Sequence, residues 1–146
     1  MKKYLTAILV SSFITVGGYA QDLKTANVPD VVRDTFLKKF PQSNEFKVTW
    51  EKEKGNYEAN WGGKSGEDNS VKMTPAGTFI EIVKAIPSSK LPANASAYLK
   101  KTMPKSKILE VGLVTDANGT VTYEAELKGQ KKEVVFDKDG NYLKME

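Results

Sequence analysis

The chain has 146 residues, 22 Lys and Arg against 18 Asp and Glu, and neither histidine nor cysteine. Without His the usual general base near neutral pH is missing, which rules out Ser-His-Asp and Cys-His catalysis. Without His or Cys, zinc, copper, haem and iron–sulfur sites lose their ordinary ligands, and no disulfide can form.

The N-terminus reads as an export leader. Lys2 and Lys3 form a short positive region, Leu5 to Val16 is uncharged and apolar or hydroxylic, and Gly18-Tyr19-Ala20 ends in small residues. This pattern predicts a signal peptide over residues 1–20 with cleavage after Ala20. The apolar stretch is shorter than the roughly 20 residues a membrane span needs. Cleavage leaves 126 residues (146 minus 20), a size that suits one domain, 21–146. Losing Lys2 and Lys3 takes the net charge from +4 to +2 (20 basic against 18 acidic). That is a mixed surface, not a nucleic-acid patch, and the mature chain is expected to be soluble, off the membrane, and periplasmic or secreted.

In chain order, Val28-Pro29 opens a first helix whose apolar stripe is Val31, Val32, Phe36 and Phe40, with Leu37 nearby. Lys38, Lys39 and the pre-proline Phe40 close it. Strands are predicted near 45–53, 56–62, 69–74 and 78–84. The linker Ala85-Ile86-Pro87-Ser88-Ser89 leads to a second helix near 92–102, with Ala95, Tyr98 and Leu99 inward and Lys100-Lys101 at its end. Further strands are predicted near 107–115, 120–128, 131–137 and 141–145. Turns fall at Lys54-Gly55-Asn56, Pro75-Ala76-Gly77, Asn118-Gly119, Lys128-Gly129 and Asp139-Gly140, so the hairpins are short and the pairing antiparallel.

The second half echoes the first. Val28-Pro29 and Leu91-Pro92, Phe40-Pro41 and Met103-Pro104, and Gly77 and Gly140 all lie 63 positions apart. Val71-Lys72-Met73 matches Val134-Val135-Phe136, Phe79 matches Tyr142, and Tyr57-Glu58-Ala59 matches Tyr123-Glu124-Ala125 at a spacing of 66. The expected fold class is α+β: two tandem repeats, about 28–84 and 91–146, each a helix plus a four-stranded antiparallel sheet, with the helices on one face.

Strand alternation assigns the faces. Phe46, Val48 and Trp50, then Tyr57, Ala59 and Trp61, then Val71 and Met73 share one face. Val121, Tyr123, Ala125 and Leu127, then Val134 and Phe136, repeat it, and these faces are expected under the helices. The phase of Trp50 and Trp61 with core residues marks them for burial rather than ligand contact. The other face carries Lys47, Thr49, Glu51, Glu58, Asn60, Lys72, Thr120, Thr122, Glu124, Glu126, Lys131 and Glu133. An antiparallel sheet can leave such a face wet, and this one is the expected working surface.

Other chemistry finds little support. Asp137-Lys138-Asp139-Gly140-Asn141 alternates oxygen side chains as calcium loops do, but lacks the later bidentate Glu and reads as a turn. Asp116-Ala117-Asn118-Gly119 reads the same way. The glycosylation patterns at Asn94 and Asn118 carry no weight behind a bacterial-type leader. Paired carboxylates such as Glu124 and Glu126 fit a solvated face better than a glycosidase cleft. No Ser-x-x-Lys occurs in the mature chain. No catalytic residue, metal site or cofactor is therefore expected.

The Val28-Pro29 and Leu91-Pro92 openings, Phe40-Pro41, and the tail from Tyr123-Glu124-Ala125-Glu126-Leu127-Lys128-Gly129 through Val134-Val135-Phe136-Asp137-Lys138-Asp139-Gly140 resemble the PepSY-like family. These are small exported bacterial proteins with a fold likened to the β-lactamase inhibitor protein. The likeness covers nearly the whole mature chain, through structural motifs rather than functional ones. It implies a module that binds or inhibits another protein. The lack of cysteines and of any matching inhibitory loop means that inhibition of a β-lactamase is not implied. The expected function is protein or peptide binding through the helix-free face, the alternative being small-ligand or calcium sensing through the acidic turns.

Overall fold

The computed structural model describes residues 21–130 and 132–145. Residues 1–20, where a leader is predicted, and Lys131 and Glu146 lie outside them. Nine strands form one antiparallel sheet whose spatial order follows the chain: β1 (Gln21–Leu23), β2 (Thr49–Glu53), β3 (Asn56–Trp61), β4 (Asn69–Met73), β5 (Phe79–Ile86), β6 (Ile108–Asp116), β7 (Val121–Leu127), β8 (Val134–Asp137) and β9 (Tyr142–Met145). Helix α1 (Asp30–Lys39) stands between β1 and β2, and α2 (Ala93–Thr102) between β5 and β6. The α+β class and the antiparallel sheet are as the sequence predicts.

Both helices begin after a proline whose φ is preset near the helical value, −54° at Pro29 and −52° at Pro92. The residue that follows each helix, Phe40 or Met103, stands just before the next proline, and there ψ swings to 61° and 54°. Lys38-Lys39 and Lys100-Lys101 complement the helix C-terminal dipoles. Asp30 sits in the first turn of α1 and pairs with Arg33.

Register puts both helices on the same face. Trp50 pairs with Ala59, Ala59 with Val71, and Val71 with Ile82. Ile86 pairs with Val111, Val111 with Ala125, and Ala125 with Val134. The first series packs with Val32 and Phe36 of α1, the second with Ala95 and Leu99 of α2. Phe36 is the centre of the first cluster, with its ring 5.2 Å from Trp50 and 5.1 Å from Trp61, both edge-on. In the second, Tyr98 meets Phe136 edge-on at 5.7 Å and stacks on Tyr142 at 4.9 Å. Burying each large apolar side chain stabilises by about 1.5–3 kcal/mol, and edge-to-face aromatic pairs add about 0.5–1.5 kcal/mol.

Three sequence expectations need correction. β1 was not foreseen, because three residues are too few to show periodicity; it pairs with Trp50, Glu51 and Lys52 and makes the sheet nine-stranded. The strand expected from residue 45 starts at Thr49: Pro41–Glu45 forms a 3-10 turn that Phe46 continues through its N–H to the Ser43 carbonyl, so Phe46 is 47% exposed instead of in the core. Val31 is 49% exposed, since Val32 and Phe36, four residues apart, define the inward stripe.

Gly77 and Gly140 show why glycine closes the hairpins beneath each helix. Both have left-handed φ, 78° and 83°. A Cβ on Gly77 would lie 2.8 Å from the Val31 carbonyl oxygen of α1, and one on Gly140 would lie 2.8 Å from the Ala95 nitrogen of α2. Gly119 has a similar φ of 82° but nothing within 4 Å of such a Cβ. Gly119→Ala is expected to cost only the left-handed term, about 1 kcal/mol. Gly77→Ala and Gly140→Ala should cost clearly more, about 2–3 kcal/mol, because each pushes a helix off the sheet. Urea denaturation of the three variants checks the ranking.

Candidate binding surface

Packing one set of alternating residues under the helices sends the other set to the opposite face. There Thr49 opposes Asn60, Glu51 opposes Glu58, and Glu58 opposes Lys72. Lys72 opposes Glu81 and Ser70 opposes Val83. Across the middle, Val83 opposes Val114 and Ala85 opposes Gly112. Beyond them Val114 opposes Thr122, Gly112 opposes Glu124, and Glu110 opposes Glu126. Glu124 opposes Val135, and Val135 opposes Lys144.

Of the residues expected here, Thr49, Glu51, Glu58, Asn60, Lys72, Thr122, Glu124 and Glu126 occupy this face. Lys47 lies in exposed chain ahead of β2, Thr120 in the exposed turn before β7, and Glu133 just ahead of β8, so the structure does not join them to it. Lys131 lies outside the described residues. The expectation of a wet surface is corrected for its first half: Glu58 is 3% exposed, Asn60 and Glu53 are 5%, and Ser70 is buried too. Closely spaced polar side chains shield one another there, and a buried charge needs partners. It has them. Ser70 Oγ donates to Glu58 Oε1. Lys72 Nζ donates to Glu81 Oε1 at 3.2 Å and lies 4.0 Å from Glu53 Oε2. Burial alone would lower the Lys72 pKa, but Glu81, Glu58 and Glu53 outweigh it and hold the ammonium above the usual lysine range.

The β6–β7 end differs. Burial raises the Glu110 carboxyl, and Glu126, Glu67 and Asp68 add to the rise. Glu67, in the segment between β3 and β4, is raised by burial and then by Glu58. Glu81, Glu110, Ser70 and Val83 were not singled out from the sequence. Carrying the alternation through β4, β5 and β6 would have found all four, whereas the place of Glu67 depends on how its loop folds.

The acidic turns are spent on themselves. Asp137 Oδ1 accepts from the Asp139 and Asn141 N–H groups at 2.9 and 2.8 Å, and Oδ2 accepts from Asn141 Nδ2 at 2.9 Å. Asp116 Oδ1 accepts from the Asn118 and Thr120 N–H groups, both at 2.8 Å. These bonds hold both carboxyls below the ordinary aspartate value. Trp50 and Trp61, 4% and 2% exposed, are core. Among the described residues no group of three or more acidic side chains is placed to hold a metal ion, and no helix is long and apolar enough to cross a membrane.

A one-sided helix layer on a continuous antiparallel meander, with a charged sheet face opposite, places the molecule among β-lactamase-inhibitor-like α+β folds. Residues 64–144 match the family model described as beta-lactamase-inhibitor-like, PepSY-like. This chain belongs to the PepSY-like family. Three solved structures share the fold. A protein of Bacteroides eggerthii DSM 20697 described as periplasmic has a TM-score of 0.67 at 17% identity, covering 82% of this chain and 88% of that one. A DUF2874 family protein of Bacteroides ovatus ATCC 8483 has 0.66 at 21%, covering 81% and 86%. A BLIP-like protein of Bacteroides fragilis NCTC 9343 has 0.61 at 17%, covering 81% and 84%. No curated protein matches the chain.

The two ends of the face should respond oppositely to neutralisation. Lys72→Met removes the charge that Glu53, Glu58 and Glu81 surround, and is expected to cost about 1–3 kcal/mol at pH 7. Because the folded pKa of Lys72 is raised, its contribution is complete below 10.5 and is lost as the pH climbs through the folded value. Glu110→Gln is expected to stabilise by about 0.5 kcal/mol at pH 7 and low salt. Its folded pKa is also raised, so the native state is penalised only as the pH rises from 4.5 and Glu110 ionises; below 4.5 the gain from Gln disappears. Denaturation midpoints measured from pH 4 to 11 test both signs.

Proposed function

We propose that the mature chain is an exported, non-enzymatic module that binds another protein or an extended peptide on the helix-free face of its sheet. The observation that carries this reading is the one-sidedness of the fold. α1 and α2 cover the same face, and the other carries charged and hydroxyl side chains from Thr49 to Lys144, withdrawn from water around Glu58 and partly exposed on β7. Rigid strands hold contact groups at low entropic cost, which favours recognition of a partner surface. The chain's lack of His and Cys supports a role without catalysis. The acidic turns give the cation-sensing alternative less support, because their oxygens already accept turn hydrogen bonds.

The unit of function in this reading is one domain, 21–146, built from two copies of a helix-and-four-strand element. In support, the Pro29 and Pro92 starts, the Phe40 and Met103 ends, the Gly77 and Gly140 closures and the irregular pairings after Lys72 and Val135 recur at equivalent places. Export rests on the leader pattern of residues 1–20 and agrees with the periplasmic description of a relative in fold.

Because the chain has no native cysteine, single cysteines can carry a photo-crosslinker. The protein is isolated from the periplasm, where Gln21 is its expected N-terminus, labelled at Thr122→Cys or at Lys101→Cys on α2, and irradiated with exported proteins. Discrete adducts from position 122 and none from 101 are expected. Adducts from 101 alone sink this reading.

A further inference from the structure

We propose that the segment held on this face is cationic, an extended stretch bearing Lys or Arg, and that it crosses the sheet along the Ala85–Gly112 row toward β7; this rests on the helix-free face being the binding surface. The first half of the face is built around a cation, although Glu51 stands directly opposite Glu58 there. Lys72 lies among Glu53, Glu58 and Glu81, and Ser70 serves Glu58. The second half is not.

Glu110 and Glu126 stand directly opposite each other on β6 and β7, a cross-strand arrangement in which like charges destabilise. Glu67 and Asp68 add their fields to Glu110 from the segment between β3 and β4. Among the described residues none of these four carboxylates has a basic side chain as its partner. Folding alone is not helped by such an arrangement, whereas a basic partner would relieve it.

Shape agrees with charge. Between these carboxylates and the buried pair Val83 and Val114, the opposed residues Ala85 and Gly112 contribute a methyl group and a hydrogen. That leaves a shallow row of minimal side chains, apolar on one side and acidic on the other. An extended polypeptide, with side chains alternating at about 3.3 Å per residue, can set small or apolar groups along the row and reach Glu110 and Glu126 with Lys or Arg. Arg fits best, because its fork meets a carboxylate bidentately. A nucleic acid would be repelled.

The test uses fluorescence anisotropy with a fluorescein-labelled twelve-residue peptide of alternating Arg and Val, and the same peptide with Glu for Arg. The proteins are wild type, Glu110→Gln/Glu126→Gln, and Asp34→Asn/Glu45→Gln, which removes the same charge away from this face. The basic peptide is expected to bind wild type and the Asp34/Glu45 variant alike, to weaken at least about tenfold on Glu110→Gln/Glu126→Gln, and to weaken with salt. Thermal melting should show the Glu110/Glu126 variant folded and no less stable than wild type. Equal weakening in both variants, or equal binding of the acidic peptide, overturns the inference. If the adducts from position 122 persist in that event, the face still binds and only the cationic chemistry is wrong; if they are missing too, the surface itself is wrong.

Discussion

The ring of Phe36, wedged edge-on against Trp50 and Trp61, is the contact from which the rest of the arrangement follows. It requires α1 to lie across β2 and β3, and so decides which face of those strands is covered. Strand geometry leaves no choice afterwards. If Trp50, Ala59 and Val71 face the helix, then Glu51, Glu58 and Lys72 must face away. Tyr98, Phe136 and Tyr142 make the same decision for α2, and the β5–β6 pairing joins both halves in phase. The proposed binding surface is thus the complement of the core, and a slip of one residue in register would exchange them.

That complement is uneven. Around Lys72 the carboxylates share one ammonium and withdraw from water, which makes this region part of the architecture. Around Glu110 and Glu126 they repel, and burial raises the Glu110 carboxyl further. Like charges held together on rigid strands are the ordinary sign that a residue set is kept for something other than folding.

Much of this was legible in the sequence because the signals were local. Pro29, Pro92 and the prolines after Phe40 and Met103 fix the helices through φ restriction, and paired turn residues fix the hairpins. The aromatic alternation at Trp50, Tyr57 and Trp61 gave the sidedness. What stayed hidden depends on contacts distant in sequence. β1 exists only because β2 offers it an edge. Phe46 leaves the core because the turn after Pro41 delays the strand. The burial of Glu58 follows from Ser70 and Lys72 on the neighbouring strand, and Glu67 reaches the face through a loop whose path no alternation rule describes.

The strand order itself has a kinetic meaning. Each strand pairs with its successor in the chain, with no crossover anywhere in the order. Ring closure is therefore confined to short hairpins and two helical excursions, which keeps the mean sequence separation of contacts low for so large a sheet. A polypeptide delivered N-terminus first can add strands one at a time, each new ribbon finding a finished edge. The first aromatic cluster is complete once β5 has emerged, before α2 exists, and can serve as the template on which the second half is laid down.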